Sequence, residues 1–261
     1  MNTPSVADLA KRRWHYVSFM YLLDWGEFKQ AEWEANIDYA ARLGFNAIRF
    51  NFWWPDIVPD AAALQRGGNW HALDHIVNYA ISRGLKVVLT VCLRPSFTNY
   101  TLFCAEEDRV QDRDRNIEQN WDGTTRISYS SPRFGHAIRF FQQVCERYIE
   151  QHNAGHILAI SPLITKEAEI AYACGEMEDY SPHFLAEFRA WAIARHGSLA
   201  AANTAWETAF ATVNDIVPEG PMSRPQGMDW FLFRELKAKQ FVDSCCAVAA
   251  GVQGAVTPLR L

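Results

Sequence analysis

Nothing in these 261 residues approaches the run of ~18 apolar residues that a membrane-spanning helix needs. The opening segment, MNTPSVADLAKRR, also lacks the apolar core of a secretion signal. A cytoplasmic protein with no membrane partner is the expectation. A basic excess is missing as well: 25 Lys and Arg stand against 30 Asp and Glu, for a net charge of −5. That balance gives no footprint for nucleic acid, and the one dense basic cluster, Lys11-Arg12-Arg13, reads as a solvated flank. The six cysteines, Cys92, Cys104, Cys145, Cys174, Cys245 and Cys246, show neither CxxC spacing nor a regular framework. Cys92 falls in an apolar strand run and Cys145 and Cys245 in helical runs, as buried free thiols do. No Gly-rich phosphate loop follows any apolar run, which disfavours an open dinucleotide-binding sheet. No cofactor is expected.

What the chain has is aromatic side chains, 13% of the total with ten tryptophans, and a regular alternation of apolar runs. Strands are expected near residues 15–23, 45–52, 85–93 and 157–164, with another starting at Val256. Helical spacing appears over Gln30–Leu43, His71–Ser82, Pro132–Gln151, Pro182–Arg195, Leu199–Phe210 and Met228–Ala250, with Gly44 and Gly84 as stops. Arg94 to Ser131 shows no period, and a loop of that length is usually functional or mobile. Strand–helix alternation with connections too long for hairpins means parallel strands.

Chemistry at the C-terminal ends of such strands is the hallmark of an α/β barrel. The fourth apolar run, from Ile157, leads into Glu167 and Glu169; the first ends at Asp24, Trp25 and Glu27; the second carries Arg49 and ends at Trp53 and Trp54. Glycoside hydrolysis uses two carboxyl groups, and flat aromatic faces pack against the apolar faces of sugar rings. Trp121 and Tyr100, in the long loop, are weaker candidates for the same stacking role.

The segment Phe188–Phe210, FRAWAIARHGSLAAANTAWETAF, resembles part of the β-galactosidases of glycoside hydrolase family 42, where it follows the acid/base strand. GFNAIRF at Gly44–Phe50 and LDHIVNYAISRGLKVVLT at Leu73–Thr90 are similar to stretches shared more widely by that clan of barrels. The resemblance implies a (β/α)8 TIM barrel with its acid/base at the end of strand four and its nucleophile at the end of strand seven. It assigns Glu169 the acid/base role, with Glu167 as second choice. The sequence distance to the Phe-Arg-x-Trp helix favours Glu169, and Glu169-Ile170-Ala171-Tyr172 also resembles the Glu-x-x-Tyr of β-amylases. Arg49 corresponds to the arginine that orients the catalytic carboxylates, and Trp25, Trp53, Trp54 and Asp24 join it as substrate-binding candidates. One departure is plain: in TKEAEIAY no Asn precedes either glutamate, so the amide that binds the sugar 2-hydroxyl is missing. Family members often hold a structural zinc through a cysteine cluster; here only Cys104 and Cys174 correspond, and two thiolates cannot close a four-ligand site. No metal is expected.

The resulting expectation is a retaining hydrolase of a β-linked, galactoside-like sugar, the carbohydrate being its partner. Residues 1–261 form a single barrel domain that holds about five of the eight strands. The nucleophile is then expected beyond Leu261, and these residues alone are expected to be inactive. Exposed strand edges would be covered by a homo-oligomer or by the remainder of the barrel. The alternative is a non-catalytic carbohydrate-binding or assembly module derived from such a barrel, which the absent Asn favours. An aldolase or isomerase would instead use Lys166, the one well-placed lysine.

Overall fold

The computed structural model describes residues 17–21 (backbone only), 29–93, 100–119, 125–163, 179–219 and 222–255. Four strands, β1 (Val17–Tyr21), β2 (Ala47–Trp53), β3 (Lys86–Cys92) and β4 (Ile157–Leu163), form one sheet in the order β1-β2-β3-β4. Every pairing is parallel, and each strand lies beside its neighbour in the chain. This is the repeating strand–helix–strand unit expected from the alternation, and such units close right-handed.

The turns that feed the strands share one geometry. After the helix α1 (Gln30–Arg42), the Phe45 N–H donates to Ala40 O at 3.2 Å, and Gly44 has φ +86°. After α2 (His71–Ser82), the Leu85 N–H reaches Ala80 O at 3.1 Å, and Gly84 has φ +77°. This six-residue closure at a left-handed residue ends a helix by satisfying its last carbonyls. A Cβ at either glycine would meet nothing within 4 Å, so φ alone selects glycine there. A third copy, from His156 N–H to Gln151 O, leads into β4.

The helices pack one face of the sheet. Leu73, Ile76, Val77 and Ala80 of α2 are buried, as are Ala137, Phe140, Phe141, Val144 and Cys145 of α3 (Gly135–Arg147). They join Ile48, Phe50 and Phe52 of β2 and Val87, Leu89 and Val91 of β3 in the main core. A second core lies between α4 (Pro182–His196), α5 (Leu199–Trp206) and the first half of α6 (Pro225–Gly251). Helix α6 spans both: Trp230 and Phe233 belong to the second core, Phe241 and Cys245 to the first.

Three expectations shift. The helix expected from Pro132 begins at Gly135, because Ser131 is held in turns, accepting the Phe134 N–H and donating to Ser128 O at 3.0 Å each. It breaks at Tyr148, whose buried hydroxyl donates to Asp74 Oδ1 at 2.9 Å, and resumes at Ile149–Asn153. The helical period running to Phe210 stops at Trp206, because Asn203 folds the tail back. Its Oδ1 accepts from Thr208 Oγ1 and the Phe210 N–H, and its Nδ2 donates to Phe210 O. The aperiodic stretch after β3 is ordered where it is described: it has short helical turns at Tyr100–Phe103 and Glu106–Asp108, and antiparallel bridges Arg109↔Ile127 and Gln111↔Ile117. The strand expected from Val256 lies outside the described residues. No helix among the described residues is long and apolar enough to cross a membrane.

Candidate active site

Side chains alternate along a strand, and β2 uses both faces. Ile48, Phe50 and Phe52 enter the helix-side core, which leaves Arg49, Asn51 and Trp53 on the inner face. The register brings Val88, Thr90 and Cys92 of β3 beside them, in that order, with Ala159, Ser161 and Leu163 of β4 next in line. Arg49 Nε donates to Thr90 Oγ1 at 2.7 Å and lies 3.2 Å from Asn51 Oδ1. Thr90 is 1% exposed and Asn51 5%, so the guanidinium plane is set by two buried acceptors rather than by solvent. A planar fork held at its stem is suited to aligning a carboxylate or a hydroxyl pair. Arg49 is the third of the seven residues of β2, two strand repeats before Trp53, the last; its Nε bonds to Thr90, the register partner of Asn51, so the side chain leans toward the C-terminal end.

The tryptophan pair splits. Trp53 ends the strand half-buried on the inner face, and its N–H donates to Asp56 Oδ2 at 2.7 Å. Trp54 opens the next helical turn and is 2% exposed. Its ring packs 4.2 Å from Phe103 and 5.4 Å from Phe140. That indole is taken up by packing on the helix side of the rim. Glu167, Glu169, Asp24, Trp25, Glu27, Lys166 and Trp121 lie outside the described residues, as does the side chain of Tyr100.

Asn51, Thr90 and Ser161 form an inner-face polar row that was not expected from the sequence. A signal was present for two of them: Asn51 stands two positions from Arg49 in a strand, and Thr90 is the polar residue inside the apolar run LKVVLTVCL.

A buried polar seam supports the rim. The Asp108 carboxylate, 3% exposed, accepts from Ser131 Oγ at 2.7 Å and the Ala105 N–H at 2.8 Å, with Arg133 and His183 at 3.5 and 3.6 Å. Asp179 is fully buried at the start of the α4 approach; its Oδ1 accepts the N–H groups of Ser181 at 2.8 Å and Gln111 at 3.3 Å. Ser181 Oγ meets Ser128 Oγ at 3.0 Å, and the Tyr180 N–H donates to Gln111 O at 2.9 Å. Burial holds the Asp179 carboxyl above its ordinary range, against the opposing pull of Ser128, Ser181 and Gln111. These bonds tie the loop after β3 to the entrance of α4.

Burial, assisted by Asp108, pushes the Cys104 thiol up to about 12. Cys174 lies outside the described residues. Among the described residues no group of three or more His, Cys, Asp or Glu is arranged to hold a metal ion.

The sequence pattern of glycoside hydrolase family 42, described as β-galactosidase, matches residues 23–247. The β-galactosidase BgaA of a Thermus species is 28% identical over 185 residues, covering 69% of this chain and 26% of that protein. A β-galactosidase of Thermus thermophilus is 27% identical over 182 residues, covering 68% and 26%. The chain therefore spans about a quarter of the length of these curated relatives. Among solved structures, the β-galactosidase of the psychrophilic Marinomonas ef1 superposes with a TM-score of 0.71 at 17% identity, over 92% of this chain and 36% of that one. The catalytic domain of a β-amylase from Paenibacillus polymyxa superposes with a TM-score of 0.68 at 15% identity, over 91% and 65%. At such identities the likeness establishes the fold: the four-stranded sheet and its helices are part of a (β/α)8 barrel of the glycosidase type.

Proposed function

Because the chain belongs to glycoside hydrolase family 42, the β-galactosidase family, we propose that it carries the acid/base half of a retaining β-galactosidase site. The observation that supports this most is Arg49, fixed by Thr90 and Asn51 on the inner face, with its guanidinium leaning toward the strand C-terminal ends. Glu169, with Glu167 as second choice, follows the strand registered beside Thr90 and Cys92. In this reading Glu169 gives its proton to the glycosidic oxygen as the bond to the sugar breaks, and then removes a proton from the attacking water. Arg49 orients the carboxylates. Trp53, Trp25 and Asp24 contact the sugar, and Trp54 backs the rim. The second carboxyl, which retaining chemistry sets about 5–5.5 Å from the first, is assigned to no residue of this chain.

The test uses the natural polypeptide in which these residues sit, with aryl β-D-galactosides. Glu169→Gln is expected to slow hydrolysis strongly for a poor phenol leaving group and much less for an activated one, since only the former needs the proton. An equal loss for both would remove Glu169 from the acid role. The expected rate loss from removing the acid alone is about 10²–10⁴-fold for the poor leaving group.

A second reading is favoured by one observation: no Asn precedes either glutamate. It makes the chain a non-catalytic carbohydrate-binding or assembly module, its strand edges covered by a second copy or by the remaining barrel. Saturable binding of galactose without turnover in any form of the polypeptide would select it.

A further inference from the structure

On the helix side of Trp54, away from the inner face, a crevice of 310 Å³ opens between the turn after β2, the segment after β3 and helix α3. Its walls are apolar: Trp54, Val58, Leu102, Phe103 and Phe140, with Leu64 at the lip. Leu64 is 44% exposed, an aliphatic side chain left in solvent beside a ready-made apolar wall. One permanent cation, Arg139, stands at the mouth. Arg139 and His136 stand there on the outer face of α3, both exposed. Arg139 has no hydrogen bond or ion pair among the described residues. His136 sits 6.0 Å from the Phe103 ring, and burial together with Arg133 and Arg139 disfavours its proton. Asp108, the nearest acid named in that balance, is already engaged by Ser131, the Ala105 N–H and Arg133.

The volume falls at the lower end of the ~300–1,000 Å³ range of small-molecule sites. Stacked aromatic walls suit a flat apolar body, and an unpaired guanidinium at the entrance suits an anionic head. We propose that this crevice binds a small aryl anion, such as an aromatic carboxylate, at a site separate from the strand-end cleft. Two properties follow from its construction: shape is read by the aromatic walls, and charge by Arg139.

The test is a ligand-observed NMR titration of the 261-residue chain with 2-naphthoate and with its neutral amide, 2-naphthamide. The proposal expects saturable binding of 2-naphthoate with a Kd of about 1 mM or tighter, the range set by ordinary ligand efficiency for a molecule of that size. Arg139→Glu should weaken 2-naphthoate about tenfold, the scale of one reversed contact at a part-exposed charge, and leave 2-naphthamide unchanged. Leu64→Trp, at a position 44% exposed, should fill the crevice and abolish binding of both. Thermal melts of the variants confirm that the fold is retained. The proposal is overturned if 2-naphthoate binds no tighter than 2-naphthamide, if Leu64→Trp leaves both affinities unchanged, or if Trp53→Ala removes binding instead. The readout is binding alone, so it stands apart from any outcome of the galactosidase assay.

Discussion

Asp229 gathers the segment that carries the family resemblance. It is 5% exposed on α6 and accepts three donors: Trp206 Nε1 at 2.9 Å, His196 Nε2 at 2.7 Å and Arg195 Nε at 3.0 Å. Arg195 and His196 end α4, and Trp206 ends α5, so one carboxylate pins two helices to a third. Asp229→Ala removes all three bonds. Leaving the buried indole N–H without an acceptor costs about 1–3 kcal/mol, and the lost charge-assisted bond to His196 adds about 1.5 kcal/mol. Arg195 is 46% exposed, so its share is screened to about 0.5 kcal/mol or less. The sum, about 3–5 kcal/mol, matches what breaking a buried polar hub costs elsewhere. Trp206→Phe removes one donor, keeps the ring, and is expected to cost about 1 kcal/mol. Arg195→Ala is expected to cost least.

Urea denaturation followed by circular dichroism gives the free energies. On the scale of about 2–4 °C per kcal/mol for a chain of this size, Asp229→Ala should melt roughly 10 °C lower. Hydrogen exchange then locates the effect: amides of α4 and α5 should lose protection well before those of β3. A loss below about 1 kcal/mol for Asp229→Ala would refute the hub, since a single buried unsatisfied donor already exceeds that figure. Uniform loss of protection in β3 and α4 would refute its confinement to the second core.

Other outcomes follow from the same geometry. Asp179 holds its proton more tightly in the folded chain than in the unfolded one, so its ionisation lowers stability as pH rises from the unfolded value through the raised folded value. Asp179→Asn should therefore be at least as stable as the parent at pH 8, with a flatter urea midpoint between pH 4 and 8; a deficit above about 1 kcal/mol at pH 8 would contradict this. Gly84→Ala, forced to φ +77°, should lose about 1–2 kcal/mol in urea melts, and Gly84→Asn less. Burial pushes the Cys104 and Cys145 thiols up to about 12, whereas Cys246 is exposed. Titration with an aromatic disulfide should show a fast thiol that Cys246→Ser removes, and Cys104 and Cys145 should react only on unfolding.

The sequence by itself determined the strand–helix alternation. Apolar period and glycine stops are local signals, and β3 and the helix His71–Ser82 stand where LKVVLTVCL and HALDHIVNYAIS put them. It also determined which family the chain belongs to, through Gly44–Phe50, Leu73–Thr90 and Phe188–Phe210. Arg49 was legible only through the resemblance of GFNAIRF to the clan's strand two. Trp53 and Trp54 were not separable, because one step at a strand end reverses the face. Only the tertiary structure sent Trp54 into the stack with Phe103 and Phe140 and gave Arg49 its hydrogen bond to Thr90, 41 residues away. The ends of the helices behaved likewise. Asn203 and Tyr148 overrode helical spacing through side-chain bonds to Phe210 and Asp74, and Ser131 through turn bonds to Ser128 and Phe134, its side chain bonding Asp108. The two of these that reach across the fold, to Asp74 and Asp108, have no signature in a sequence window. Periodicity reports which face a residue takes, whereas a bond between distant segments exists only once the sheet has set their register.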